Sequence, residues 1–367
     1  MTVDEKLQAN REVAQAIRGV PPSEIMIPYP SIRSLLDSQV RRYGDRTFLI
    51  IEDENGREEV SFTFLLKRVS QCANYLRREK IKFGDTVGIT LDEPLVVLIQ
   101  IFGIWAVGGT VDLRNISSSF FPNDPTEFES TLDKEADTTD VGKKSKLADD
   151  SVWIDNGNDL TVVLSHYNLI VNGMATAERF NFSDNDILLC PEPVCELLTL
   201  SGGVMTALYA GCRILFTKDC STGNLSEPIQ TVFSCTPTSE READKIVIPH
   251  TSFSKVNHSQ VTTGFFMPEL TGFASFSQAS EKVTENLIPV GTPLHLCEMT
   301  ILDKSGEELP IGEPGQIAVR GHNVMKGYFK DREADRKAFA HGWFNTGLTG
   351  LSQIGPEEVR SFFVTTP

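Results

Sequence analysis

A chain of 367 residues can bury one large core or two smaller ones, and 40% hydrophobic with 23% charged residues is an ordinary soluble composition. With 34 basic against 50 acidic residues the net charge is −16, so phosphate backbones and anionic lipid are repelled and nucleic acid is excluded as an expected partner. Seven cysteines without a CxxC pair offer no zinc framework and read as reduced thiols of a cytoplasmic protein.

The first residues, to Arg18, are charged and amphipathic and lack the apolar run of a secretory signal. The Asn-X-Ser sequons at Asn115, Asn181, Asn224 and Asn257 are therefore expected to stay unmodified. Residues 31–43 carry a helical apolar stripe behind a Ser31 cap. Residues 48–51 read as a strand, Asn55-Gly56 as a hairpin turn and 59–62 as the returning strand. A helix follows to Arg78, then a short strand at 86–91 and a helix opened by Pro94. The apolar run 95–111 contains Gln100 and glycines, which predicts a buried helix and no membrane span.

Residues 113–150 are polar and charge-rich, and predict a surface excursion. A second α/β stretch, 151–285, starts with strands at 152–154 and 161–164 around the Asn156-Gly157 turn. A helix at 167–179, a strand at 187–190, a helix at 197–210 and a strand at 213–216 follow, and residues 217–262 read as polar and irregular. From 286 to 367 short strands with Gly/Pro turns predict a small β-rich subdomain. Residues 1–112 form the first βα region, so the expected class is α/β with doubly wound βα subdomains plus the β-rich piece.

Five pieces near the end occur in one order: VGTPL (290–294), ILDKSGEELP (301–310), GEPGQIAVRG (312–321), NVMKGY (323–328) and HGWFNTG (341–347). Together with VVLSHYNLIVNG (162–173) they resemble the adenylate-forming (AMP-binding) superfamily of acyl- and aryl-CoA synthetases and peptide-synthetase adenylation domains. The resemblance implies the N-terminal domain of that fold. It also implies ATP-dependent activation of a carboxylic acid to an acyl-adenylate and then a thioester, with ATP and Mg²⁺ as cofactors and an acyl or aryl carboxylate as substrate. That chemistry needs a glycine-rich loop whose N–H groups cradle phosphates, an acid for Mg²⁺, a carboxylate on the ribose and a lysine from a mobile C-terminal domain.

Where the resemblance puts the phosphate loop, residues 152–161 keep one glycine, Gly157, have no lysine and carry Asp155 and Asp159. Where it puts the magnesium acid, residues 272–278 contain no carboxylate, and Glu281 and Glu285 follow at the spacing of a solvated helix face. Leu348 stands after Thr346-Gly347 in place of the ribose aspartate. His166 reads as a capping or packing residue, and the apolar helix 197–209 as the wall of an acyl pocket. The chain ends about 20 residues past Gly347, which leaves no room for the C-terminal domain, and Lys326 and Lys330 do not replace its lysine.

The nucleotide-binding remnants are thus Thr346, Gly347 and Gly157, with no catalytic and no metal residue. The expected function is a ligase-like protein whose own catalysis is impaired or lost. A regulatory pseudoenzyme with a retained acyl pocket or partner chain, and a truncated or mis-spliced product of a ligase gene, are the alternatives.

Overall fold

The computed structural model describes residues 27–53, 56–90, 93–114, 120–138, 144–191, 193–217, 229–233, 243–251, 261–277, 286–355 and 358–365. Expectations placed on Glu281, Glu285, Cys220, Cys235 and the first 26 residues lie outside them.

α1 (Ile32–Tyr43) starts at Ser31, whose hydroxyl accepts the Ser34 N–H at 3.3 Å, and stops at Gly44. β1 (Thr47–Asp53) and β2 (Gly56–Ser61) pair antiparallel, and Ser61 then caps α2 (Phe62–Arg78). After β3 (Thr86–Gly88), α3 (Pro94–Val107) opens on its proline and buries every residue from Val96 to Val107. Gln100 is tolerated there because its side-chain oxygen accepts the Thr90 N–H at 3.0 Å. No helix among the described residues is long and apolar enough to cross a membrane.

β4 (Thr110–Asp112) is followed by a stretch that departs from the expected surface excursion. Asp124 caps α4 (Pro125–Leu132), which packs against α2 and buries Phe128 and Leu132 together with the nearby Phe121. Three apolar side chains within a polar text are enough to dock one turn-and-helix unit. β5 (Asp150–Asp155) and β6 (Thr161–Ser165) form the next hairpin, and α5 (His166–Phe180) follows with a full capping box between Ser165 and Asn168.

β7 (Ile187–Cys190) leads into a π-helix (Leu198–Met205) and the short α6 (Thr206–Ala210), where one continuous α-helix was expected. β8 (Arg213–Thr217), β9 (Ile229–Phe233), β10 (Ala243–Pro249) and β11 (Val261–Met267) come next. The reading of 217–262 as irregular is therefore corrected: β9 and β10 sit inside the main sheet, and the β-branched Val247 and Ile248 are fully buried there. β12 (Gly272–Phe276), β13 (Leu287–Pro293), β14 (Cys297–Leu302), β15 (Gly315–Gly321), β16 (Gly327–Tyr328), α7 (Arg332–Ala338), β17 (Phe344–Ile354) and β18 (Arg360–Thr365) complete the chain.

The architecture is α/β. The main sheet runs β14-β15-β17-β18-β13-β12-β11-β10-β9-β7-β8-β1-β2, and a second sheet runs β16-β6-β5-β4-β3. Strands β11, β10, β9, β7, β8 and β1 are mutually parallel. From β12 onward every pairing in the main sheet is antiparallel, so the β-rich part is an extension of that sheet joined through β12 and β13. One core cluster runs from Ile32 to Val364 through both parts.

Candidate functional site

The β5–β6 turn and the Thr346-Gly347 turn, almost 190 residues apart, face the same cavity of about 570 Å³. Asn156, Asn158 and Leu160 come from the first, and Phe344 to Gly347 from the second. Met267 and Glu269 at the end of β11, Tyr328 on β16 and the α7 side chains Glu333 and Lys337 close the remaining walls. The regions carrying the expected remnants therefore do converge, although Gly157 itself does not line the cavity.

The β5–β6 turn holds its own N–H groups. Asn156 N–H donates to Leu160 O (3.1 Å) and Gly157 N–H to Asp155 Oδ1 (2.8 Å). Asn158 and Leu160 N–H both donate to Asn156 Oδ1, at 2.9 and 3.3 Å. These N–H groups are the donors a phosphate cradle must leave open. The expected hairpin is found, and Asn156 closes it by bonding backbone groups two and four residues onward. Its amide nitrogen then reaches Glu269 Oε1 at 2.9 Å.

At the other turn, Thr346 is 8% exposed and its hydroxyl donates to Ile317 O at 2.7 Å while accepting the Leu348 N–H at 3.2 Å. Gly347 takes φ +73° with its N–H on Asn345 Oδ1 at 3.0 Å. The pair is knitted into β17 beside a register shift of the β15–β17 ladder. Leu348 packs half-buried against the core and does not line the cavity. No carboxylate from this strand faces the space where a ribose acid was expected.

Sequence reasoning missed Glu269. The acid was sought at 272–278, but residues 272–276 are the fully buried strand β12. The 3₁₀ turn Pro268–Leu270 just before it brings Glu269 into the wall, 3% exposed. A single carboxylate inside the apolar tract Phe265 to Phe273 was the available signal, because such a group is seldom buried without partners. Glu269 Oε1 also accepts the Tyr328 hydroxyl at 3.1 Å, and burial with this neighbouring charge pushes the Tyr328 pKa up.

The wall is acidic. Glu269, Asp331 and Glu333 line it against Lys337, which pairs with Glu333 at 2.8 Å. Asp331 caps α7 by accepting the Glu333 and Ala334 N–H groups at 3.1 and 2.9 Å, so that helix end is already satisfied. Lys326 is held by Asp150 and by Ala148 O, and Lys330 lies over the Phe329 ring. Among the described residues no three His, Cys, Asp or Glu side chains are grouped to hold a metal ion. The residues present thus do not fit a magnesium–triphosphate group: the turn's donors are used, the lining carboxylates repel a triphosphate, and among the described residues Glu269 belongs to no group of three ligating side chains.

The expected acyl wall is filled. Gly202 of the π-helix faces Phe273, and a Cβ built on it would lie 3.2 Å from that ring. Phe273 in turn meets Phe276, Phe266 and Phe233 at centroid separations of 4.6, 5.2 and 6.1 Å, and Phe180 joins through Phe276 at 4.8 Å. A second cavity, of about 400 Å³, opens at the carboxyl ends of β1, β7 and β8 and is lined by Glu52, Asp53, Glu58, Glu93 and Glu129. It too presents negative charge.

His166 is fully buried, packs edge-on against Trp105 at 5.9 Å, and has no hydrogen-bond partner on either ring nitrogen. Ser165, not His166, makes the cap. Burial pushes the His166 pKa down to about 4, and those of His250 and His322 likewise. A folded-state pKa below the unfolded one means stability is full above about pH 6.5 and falls as pH drops through about 4, because the unfolded state binds the protons first. Urea midpoints at neutral and mildly acidic pH should show this slope. His166→Phe is expected to flatten it and to add about 1 kcal/mol near neutrality by removing an unpaired buried N–H; a steeper slope or a loss of stability contradicts the packing role.

The family model of AMP-binding enzymes matches residues 36–118 and 249–329. The chain is 22% identical over 224 residues to acyl-CoA ligase sidI of Aspergillus fumigatus, covering 52% of this chain and 38% of that protein. It is 24% identical over 256 residues to 4-coumarate–CoA ligase 4 of Arabidopsis thaliana, covering 59% and 45%. It therefore spans less than half the length of these curated relatives. The solved structure of apo MatB from Rhodopseudomonas palustris superposes with a TM-score of 0.72 at 16% identity, covering 90% of this chain and 78% of that one, and this likeness speaks for the fold alone. Taken with the motif order, these sequence matches support kinship with acyl- and aryl-CoA ligase-like AMP-binding proteins of the adenylate-forming superfamily.

Proposed function

We propose that this chain keeps the ligase scaffold without the ATP-dependent activation of carboxylic acids, and acts as a binding or regulatory relative in the cytoplasm. One observation carries the reading. The turn where a triphosphate would be cradled has its N–H groups on Asn156, Asp155 and Leu160, so a phosphate gains no donors there without dismantling the hairpin. The acidic wall adds repulsion, and a triphosphate carries several negative charges into it.

The test is ATP–pyrophosphate exchange with a panel of aromatic and fatty acids. The expected result is no exchange above the no-enzyme rate for any acid. Turnover with any of them returns the chain to the acid–thiol ligases and defeats the proposal.

A further inference from the structure

Residues 120–138 are fastened to one face of one helix. Phe121, Phe128 and Leu132 are buried, and the Phe121 ring meets Tyr75 of α2 at 6.2 Å and Phe128 at 5.8 Å. Side chains of α2 then donate along the same stretch. Arg68 Nη1 reaches Asp133 Oδ1 at 2.6 Å, Gln71 the Glu135 carbonyl at 3.3 Å, and Asn74 the Ala136 and Thr138 carbonyls at 2.9 and 3.0 Å. The Tyr75 hydroxyl donates to Phe120 O at 2.6 Å, and Arg78 pairs with Glu135. Residues 68, 71, 75 and 78 follow the spacing of a single helix face. The stretch contains no strand, so no sheet ladder ties it down, and its ion pairs lie at the rim, with Asp133 69% and Arg78 50% exposed. Few apolar anchors and rim-exposed polar bonds are the profile of a segment that opens at a lower free energy than the core.

The other side of the segment is under load. Glu129 of α4 walls the cavity of about 400 Å³ together with Glu52, Asp53, Glu58 and Glu93, and no lysine, arginine or histidine lines that space. Arg57 stands outside the lining and is shared by Glu52 at 3.8 Å and Glu59 at 3.0 Å. Like charges gathered round one cavity repel. The repulsion at Glu129 therefore works against the ion pairs of Asp133 and Glu135.

We propose that residues 120–138 form a lid that lifts from α2 as one unit while the sheet stays folded, and that its opening widens the cavity walled by Glu129. Arg68 and Arg78 latch the lid, and the carboxylates around Glu129 bias it open.

Hydrogen exchange and thiol labelling on the full chain test this. The Phe128 and Asp133 N–H groups, bonded to Asp124 O and Glu129 O, are expected to exchange at least ~100-fold faster than the buried α3 amides. Their rates should barely respond to low urea, whereas those of α3 rise, because lifting a lid exposes far less surface than unfolding. Arg78→Gln is expected to speed α4 exchange about 3-fold, the scale of one rim ion pair. Glu58→Gln, which lies on β2 and leaves the helix itself unaltered, is expected to slow it roughly 2-fold. Thr217 lines the cavity and is 8% exposed, so Thr217→Cys should react with a maleimide, located by peptide mapping, at a rate that follows both variants. Exchange of α4 together with α3 at one urea slope, or an α4 rate unmoved by Arg78→Gln or Glu58→Gln, overturns the lid. Labelling of Thr217→Cys as fast as an exposed thiol, or indifferent to the two variants, overturns its control of the cavity.

Discussion

Gly291→Ala is expected to remove about 4 kcal/mol of stability, enough to exhaust much of the 5–15 kcal/mol typical of a folded domain. Gly291 lies in the VGTPL motif with φ +70°, and a Cβ there would sit 2.0 Å from Phe276 O and 2.3 Å from Ser277 Cα. Backbone cannot step aside as a flexible side chain can. The position is also a register shift in β13, the strand that pairs β12 on one side and β18 on the other. A methyl there pries the β-rich extension from the parallel part of the sheet. Gly157→Ala is the control: its φ is +81° but nothing lies within 4 Å, so only the left-handed strain of about 1–2 kcal/mol applies. Urea unfolding of both variants checks this, and equal losses would show that the VGTPL glycine is not there for space.

Phe273→Ala is the second large effect, with an expected loss of about 3–5 kcal/mol. Phe273 is fully buried and lies within about 6 Å of Phe233, Phe266 and Phe276, while Gly202 and Gly264 leave it room on the π-helix and β11. The urea m-value should stay unchanged while the midpoint falls. The vacated space is apolar, so benzene is expected to bind the variant and not the parent chain, read by chemical-shift changes. A loss below about 1 kcal/mol would mean that the space can collapse and that the ring is not the plug it resembles.

The two variants separate what the motif pieces do. VGTPL and the Thr346-Gly347 turn both have structural work: Gly291 lets two sheet parts meet, and Thr346 ties β17 to β15.

Local sequence carried most of the elements. Ser31, Ser61 and Ser165 mark three helix starts because a cap acts within three residues, and the Asn156-Gly157 hairpin closes on its own side chains. α4 and the inner strands β9 and β10 were illegible for the opposite reason: their few apolar residues gain strength from partners far along the chain, such as β7 for β9 and α2 for α4. The π-helix was equally hidden, since its close fit to Phe273 and to the Cys190 thiol next to Gly203 is a tertiary contact.

The sequence by itself carried the resemblance to the adenylate-forming superfamily, the α/β class and the departures from that family's phosphate-loop glycines and ribose acid, because each is written in residue order. Only the tertiary structure decided that phenylalanines from separate strands and helices pack together against the π-helix, and that Glu269 lies in an acidic cavity beside the Asn156 turn. Both depend on side chains from separate elements, Phe276 meeting Phe180 and Glu269 meeting Asn156, where charge, space and hydrogen-bond supply are set by the fold and not by neighbours in the chain.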